Sequence, residues 1–120
     1  MASLVGKPLP NVSLIATDGN AADLSKLEGR VVLFCYPYTG RPGHADPEGW
    51  DTIPGAHGST PQALAFSKCY DEFRVLRTKI HGMSFQPTLW QQEFVQRNTL
   101  PFPLLSDEKK VFSTALGLKT

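Results

Sequence analysis

Ser59 is the side chain around which a reaction centre can be built. It stands in Ile53-Pro54-Gly55-Ala56-His57-Gly58-Ser59-Thr60-Pro61-Gln62, a loop that runs into a helix. Thr60 suits the N-cap and Pro61 the first helical position, where a missing N–H costs nothing. The spacing therefore puts Ser59 just ahead of a helix N-terminus, where unpaired N–H groups and the helix dipole favour negative charge. A cysteine there would be a reactive thiolate at neutral pH. A serine hydroxyl is a weak nucleophile unless a base activates it. Arg41, His44, Asp46, Trp50 and His57 share the loop before Ser59 and are candidates for lining a site. His44, Asp46 and His57 fit no zinc spacing and are joined by no cysteine, so no metal is expected. Trp50 reads better as a cover for a sheet than as a substrate platform. Asp71 and Glu72 read as a solvated helix face rather than an acid–base pair. Cys35 and Cys69 both fall in apolar patterns and read as packed, inert thiols.

The elements that must position Ser59 follow from hydrophobic period and turn chemistry. Val12, Leu14 and Ala16 alternate with polar neighbours, as in a half-buried strand. Asp18-Gly19-Asn20 signals a hairpin turn, and residues 21–24 return as the partner strand. Residues 25–27 make one helical turn closed by Gly29. Val31-Val32-Leu33-Phe34-Cys35-Tyr36 is the strongest strand and is apolar on both faces, as a central strand would be. Pro37 ends it. Residues 38–58 form a long loop at that strand's C-terminal end, where open α/β sheets place ligands.

Residues 61–77 read as one helix with Leu64, Ala65, Cys69, Phe73 and Leu76 on its apolar face. Residues 79–85 form a second strand, with Gly82 for close packing and His81 in a structural role. The two strands and the intervening helix make a βαβ unit with parallel strands. Pro87 and Thr88 open another helix to about Asn98, with Thr88 as cap and Leu89, Gln92, Phe94 and Val95 as a weaker apolar pattern. Residues 100–105 are extended. Ser106-Asp107 caps a last helix, which Gly117 stops.

With 120 residues the chain is long enough for one small α/β domain, 1–120. Its net charge of +1 offers no basis for binding nucleic acid or an anionic membrane. No apolar run approaches the ~20 residues of a membrane span, and the first residues lack the apolar core of a signal peptide. Two cysteines make no disulfide framework, so a cytoplasmic location is expected.

The chain resembles the peroxiredoxins, of the thioredoxin-like fold, over nearly its whole length. Gly6-Lys7-Pro8-Leu9-Pro10, Asp18-Gly19 and Asp23-Leu24-Ser25-Lys26-Leu27-Glu28-Gly29 resemble the family's N-terminal hairpin. Val31 to Pro37 resembles its central strand and following proline. Pro61-Gln62-Ala63-Leu64-Ala65-Phe66 resembles its active-site helix, and His81-Gly82-Met83-Ser84 its next strand. Leu100-Pro101-Phe102-Pro103-Leu104-Leu105-Ser106-Asp107 is the most specific match. Thr39-Gly40-Arg41-Pro42-Gly43 resembles a bacterioferritin-comigratory-protein-like subgroup with an insertion before the active site. In that subgroup Gly-Cys-Thr-Pro stands where this chain has Gly58-Ser59-Thr60-Pro61.

The resemblance implies a thioredoxin-like fold built as an N-terminal β-hairpin plus a βαβ core, without the family's C-terminal β-hairpin and helix. It implies antioxidant chemistry. A thiolate attacks the O–O bond of hydrogen peroxide or an organic hydroperoxide and becomes a sulfenic acid, and a second thiol or a thioredoxin-like reductant resolves it. No cofactor is implied. Ser59 occupies the attacking position, Leu64 the place of one resolving cysteine, and Ala56 that of the usual threonine, for which Thr39 is the substitute. Pro37 completes the implied site. Lacking the family's active-site arginine and C-terminal strands, the chain is expected to leave Val31–Tyr36 as an edge, covered by a homodimer or a partner chain.

Three readings are open at this stage. One is a redoxin domain that has lost catalysis, as a natural pseudoenzyme or a Cys→Ser variant. Another is a thiol oxidoreductase using Cys69 or Cys35. The last is a non-catalytic binding module.

Overall fold

The computed structural model describes residues 5–50 and 57–118. Residues 53–56 of the loop before Ser59 lie outside them. The hairpin forms where the turn residues place it. Strand β1 (Ser13–Ala16) pairs antiparallel with β2 (Ala21–Asp23). Gly19 adopts φ +89°, a left-handed turn position open to glycine, and Asn20 N–H bonds back to the Asp18 carboxylate at 2.9 Å. A single 3-10 turn, Leu24–Lys26, buries Leu24 and leads into β3 (Arg30–Cys35).

After the long loop come helix α1 (Ser59–Lys68), helix α2 (Tyr70–Val75) and strand β4 (Thr78–Ser84). Helix α3 (Thr88–Asn98), strand β5 (Leu104–Ser106) and helix α4 (Val111–Leu116) complete the order. The sheet runs β2-β1-β5-β4-β3. β3, β4 and β5 are parallel, and β1 is antiparallel to β5. The βαβ unit therefore has the expected strand direction. None of the helices among the described residues is long and apolar enough to cross a membrane.

Two cores lie on opposite faces of the sheet. One joins Phe34, Tyr36, Ile80 and Leu104 to Ala63, Phe66, Tyr70, Phe73 and Phe94 of α1, α2 and α3. The other joins Leu14, Ala16, Met83 and Leu105 to Leu24 of the 3-10 turn and Phe112 of α4. Gly82 is required where the layers meet. A Cβ there would lie 2.6 Å from Leu104 Cδ2 and 2.7 Å from a Phe34 ring carbon.

Several expectations are corrected. The single helix over 61–77 is two helices that break at Cys69 (φ −94°, ψ 5°). Its inward stripe is buried Ser59 and Ala63 with partly buried Phe66, Tyr70 and Phe73, so of the expected apolar face Phe73 lies on it. Leu64, Ala65 and Leu76 are exposed. The larger rings of Phe66 and Tyr70 remove more apolar area from water, and they set the rotation. Neither Thr60 nor Thr88 caps its helix. Gly58 and Pro87 hold those positions without a side-chain cap. In α3, Leu89 is exposed and Gln91 and Phe94 are the buried positions.

β3 is not central, the position its two apolar faces suggest, but the outer strand of the described sheet, the edge position that the resemblance implies, and Val31, Val32 and Leu33 are only half-buried. Cys35 is exposed rather than packed. The last helix starts at Val111 with Lys110, not Ser106 or Asp107, at its N-cap, but Asp107 still serves its first turn. Its carboxylate accepts from Phe112 N–H at 3.0 Å, Ser113 N–H at 2.8 Å and Ser113 Oγ–H at 2.6 Å.

Candidate active site

Ser59 opens α1 and is 4% exposed. Its burial follows from its phase, because it begins the inward stripe that continues through Ala63 and Phe66. The geometry thus sets Ser59 inside the first helical turn rather than one residue ahead of it. Thr60 and His57, on either side of it in the chain, line an open cavity of about 370 Å³ with Tyr38, Asp46, Trp50 and Arg97. Of the loop residues singled out in the sequence, Asp46, Trp50 and His57 meet in this cavity. Arg41 and His44 do not line it. His44 instead packs edge-on against Trp90, with ring centroids 5.3 Å apart. Trp50 covers Tyr38, at 5.2 Å, and not the sheet. Among the described residues no group of three His, Cys, Asp or Glu is placed to hold a metal.

Thr39 is the most firmly held of the implied site residues. It is 1% exposed, and Gln86 clamps it from both sides. The Gln86 Oε1 atom accepts from Thr39 N–H at 3.3 Å and from Thr39 Oγ1–H at 3.2 Å. In return Gln86 Nε2–H donates to the Thr39 carbonyl at 3.0 Å, and Trp90 Nε1–H donates to the same oxygen at 2.7 Å. The loop leaving β3 is thereby fixed to the loop leaving β4. A buried polar backbone without such partners would cost about 1–3 kcal/mol per group.

Beneath this clamp the polar contacts continue. Gln91 Nε2–H donates to Ser84 Oγ at 2.9 Å and to the Leu105 carbonyl at 2.8 Å. Burial pushes the Tyr36 phenol up to about 12, and its hydroxyl is sealed from solvent without a hydrogen-bond partner among the described residues. Tyr36 is therefore a neutral packing group at physiological pH.

Pro37 falls elsewhere. With Cys35, Met83 and Leu118 it lines a separate cavity of about 300 Å³ on the other side of the strand end. Desolvation, with the Asp107 carboxylate as a second cause, pushes the Cys35 thiol up. That setting suppresses thiolate and opposes nucleophilic chemistry there. Cys69 sits at the α1–α2 break and is half-buried. Cys69 lies ten positions after Ser59, roughly 15 Å along the helix axis at ~1.5 Å per residue.

Gln86, Trp90, Tyr38 and Arg97 are the residues that sequence reasoning missed. Arg97 donates to both oxygens of Glu93, at 2.7 and 3.4 Å, and to the Gly40 carbonyl at 3.0 Å. It ties α3 to the loop and brings a guanidinium to the cavity rim. The Arg97 hydrogen bond, chiefly, holds the Glu93 carboxyl below the usual range. The i,i+4 spacing of Glu93 and Arg97 is the one signal visible in the sequence, and it identifies a helix pair but not a cavity.

A parallel βαβ core extended by an antiparallel hairpin, with helix α1 following a loop clamped at Thr39, defines a thioredoxin-like α/β protein. The Redoxin family model matches residues 4–120, and the chain belongs to the Redoxin family. Its relatives are of the peroxiredoxin Q and bacterioferritin-comigratory-protein type. Chloroplastic peroxiredoxin Q of Oryza sativa subsp. japonica is 36% identical over 104 residues, covering 86% of this chain and 41% of that protein. Peroxiredoxin bcp1 of Schizosaccharomyces pombe is 26% identical over 115 residues, covering 94% of this chain and 51% of that protein. The structure of peroxidoxin BcpB from Mycobacterium tuberculosis superposes with a TM-score of 0.75 at 27% identity, covering 96% of this chain and 66% of that one. The bacterioferritin comigratory protein of Xanthomonas campestris superposes with a TM-score of 0.72 at 24% identity, covering 91% and 63%. The chain thus spans about half or less of the length of these two curated relatives.

Proposed function

We propose that the chain is a peroxiredoxin-type redoxin domain whose thiol peroxidase chemistry is lost at Ser59. In the family reaction implied by the resemblance, a thiolate sulfur attacks one peroxide oxygen. The O–O bond breaks, water or an alcohol leaves, and sulfur is oxidised to sulfenic acid. An oxygen nucleophile has no corresponding oxidation step, so Ser59 cannot carry the cycle. The observation that supports this reading is the buried serine in the first turn of α1, at the attacking position of the Gly-Cys-Thr-Pro pattern.

Neither remaining cysteine is a good substitute. The Cys35 thiol is pushed up, and Cys69 lies at a helix break far along the axis from the N-terminal turn. In this reading Thr39 and Pro37 are remnants of a peroxide site, and a thioredoxin-like reductant has no sulfenic acid to reduce. The outer edge of β3 is expected to pair with a second copy or a partner chain, and the domain is expected to work in the cytoplasm.

The test is peroxide consumption with a dithiol reductant. The chain as it stands is expected to show none above the buffer rate. Ser59→Cys is expected to introduce a thiol that alkylates faster than Cys35 and consumes peroxide. Turnover by the unmodified chain that disappears in Cys69→Ala or Cys35→Ala would replace this reading with an active oxidoreductase.

A further inference from the structure

The cavity beside Ser59 carries opposite charges that do not meet. Its volume is about 370 Å³, room for a small ligand. Asp46 and Arg97 both line it, yet they form no ion pair with each other. Gly40 locates both side chains. Arg97 Nη2–H donates to the Gly40 carbonyl at 3.0 Å, and Asp46 Oδ1 lies 3.5 Å from where a Cβ on Gly40 would stand. With that one residue between them, the carboxylate and the guanidinium lie within roughly 10 Å of each other. A guanidinium presents N–H donors on all three nitrogens. Glu93 and the Gly40 carbonyl occupy Nε and Nη2, which leaves Nη1 without a hydrogen bond among the described residues. The Asp46 carboxylate is exposed and has no ion pair among the described residues.

The walls are aromatic and held from behind. Tyr38 and Trp50 line the cavity with ring centroids 5.2 Å apart and planes inclined at 68°. Trp90 backs Tyr38 at 5.8 Å and is itself anchored by its 2.7 Å bond to the Thr39 carbonyl. Burial pushes the Tyr38 phenol up and the Asp46 carboxylate adds to the effect, so that negative charge lies near the ring. A cation seated by these rings and Asp46 is attracted by the ring faces and by the carboxylate. Arg97 opposes a bare cation, and Asp46 opposes a bare anion. A ligand that carries both charges satisfies both groups.

We propose that this cavity binds a small zwitterion with an apolar body, of the α-amino acid class. The ligand's ammonium lies against Asp46, its carboxylate accepts from Arg97 Nη1–H, and its body rests on Tyr38 and Trp50. The charge-assisted contacts fix orientation and the aromatic walls select for an apolar side chain. None of these contacts uses Ser59, so the site stands whether or not that residue has lost peroxide chemistry.

The test uses the full chain titrated near neutral pH with L-phenylalanine, the cation 2-phenylethylamine and the anion 3-phenylpropanoate, followed by amide NMR. L-Phenylalanine is expected to saturate one site, with shifts centred on residues 38–46 and 57–60. It is expected to bind about tenfold more tightly than either singly charged compound. Asp46→Asn is expected to weaken L-phenylalanine about tenfold without weakening 3-phenylpropanoate. Arg97→Gln is expected to weaken it about tenfold without weakening 2-phenylethylamine. Amide spectra unchanged away from the cavity show that both variants fold. Equal binding of the three compounds, tighter binding of either singly charged one, shifts centred elsewhere, or full L-phenylalanine affinity in Asp46→Asn would overturn the proposal.

Discussion

β3 and β4 lie side by side in parallel register, and their compositions suggest opposite positions. β3 reads Arg-Val-Val-Leu-Phe-Cys and β4 reads Thr-Lys-Ile-His-Gly-Met-Ser. By apolar content β3 belongs in the middle. In the structure β4 has strands on both sides and buries its last five residues, whereas β3 is paired along one edge and is half-buried. The comparison teaches that apolar content reports how many faces want cover, not which edges are paired. β4 is central because β5 and the crossover helices enclose it, and its polar residues are accommodated locally. Ser84 joins the buried network below Thr39, and His81 is sealed on one side only.

The largest expected effect tests whether half-exposed β3 still anchors the core. Phe34 stacks on Phe66 at 4.7 Å and meets Phe102 edge-on at 5.6 Å. Phe34→Ala is expected to cost about 3–5 kcal/mol in urea unfolding. A loss below about 1 kcal/mol would show that β3 is peripheral in energy as well as in topology.

Gly82→Ala tests the central strand. The added methyl collides with Leu104 and Phe34, and the expected cost is about 1–3 kcal/mol. Val31→Ile on half-buried β3 should stay within about 0.5 kcal/mol, so equal costs would erase the contrast.

Gln86→Leu tests the link between the two strand ends. It leaves Thr39 N–H and Oγ1 unpartnered while Trp90 still serves the carbonyl, for a loss of about 1–2 kcal/mol. Hydrogen exchange at the Thr39 amide should accelerate more than exchange within β4. Unchanged protection at Thr39 would remove Gln86 from its positioning role.

The smallest effect is at the loop. Arg97→Gln should cost no more than about 1 kcal/mol. The Glu93 carboxyl lies below its ordinary range in the folded state, so its contribution is present above the unfolded value and is lost as pH falls through the folded one. The difference between the chain and Arg97→Gln should therefore shrink on acidification. A difference that grows as pH falls would contradict the pair.

Much of the fold was legible because its cues are local. The Asp18-Gly19-Asn20 turn, the alternation of β1, the glycine demanded at position 82 and the Asp107 bonds to the first turn of α4 each act within a few residues or through a steric requirement on one of them. The helix after Ser59 was legible as a helix but not in its phase. Apolar residues occur on both faces, and the choice between Leu64 and Phe66 depends on what the sheet offers. Ser59 and Thr39 could be named as candidates through the family pattern. Gln86 and Trp90 could not, because their partner is Thr39, 47 and 51 residues away along the chain. Nothing near Trp90 in the sequence marks that carbonyl.

By itself the sequence determined the element types, the parallel βαβ core and the absence of a thiol at the start of α1, because these depend on residue identity and short-range backbone chemistry. Tertiary structure alone decided which stripe of α1 turns inward with Ser59 on it, and which distant amide and indole hold Thr39. Those outcomes depend on long-range pairing and competition for buried area, and neither is encoded at any single position.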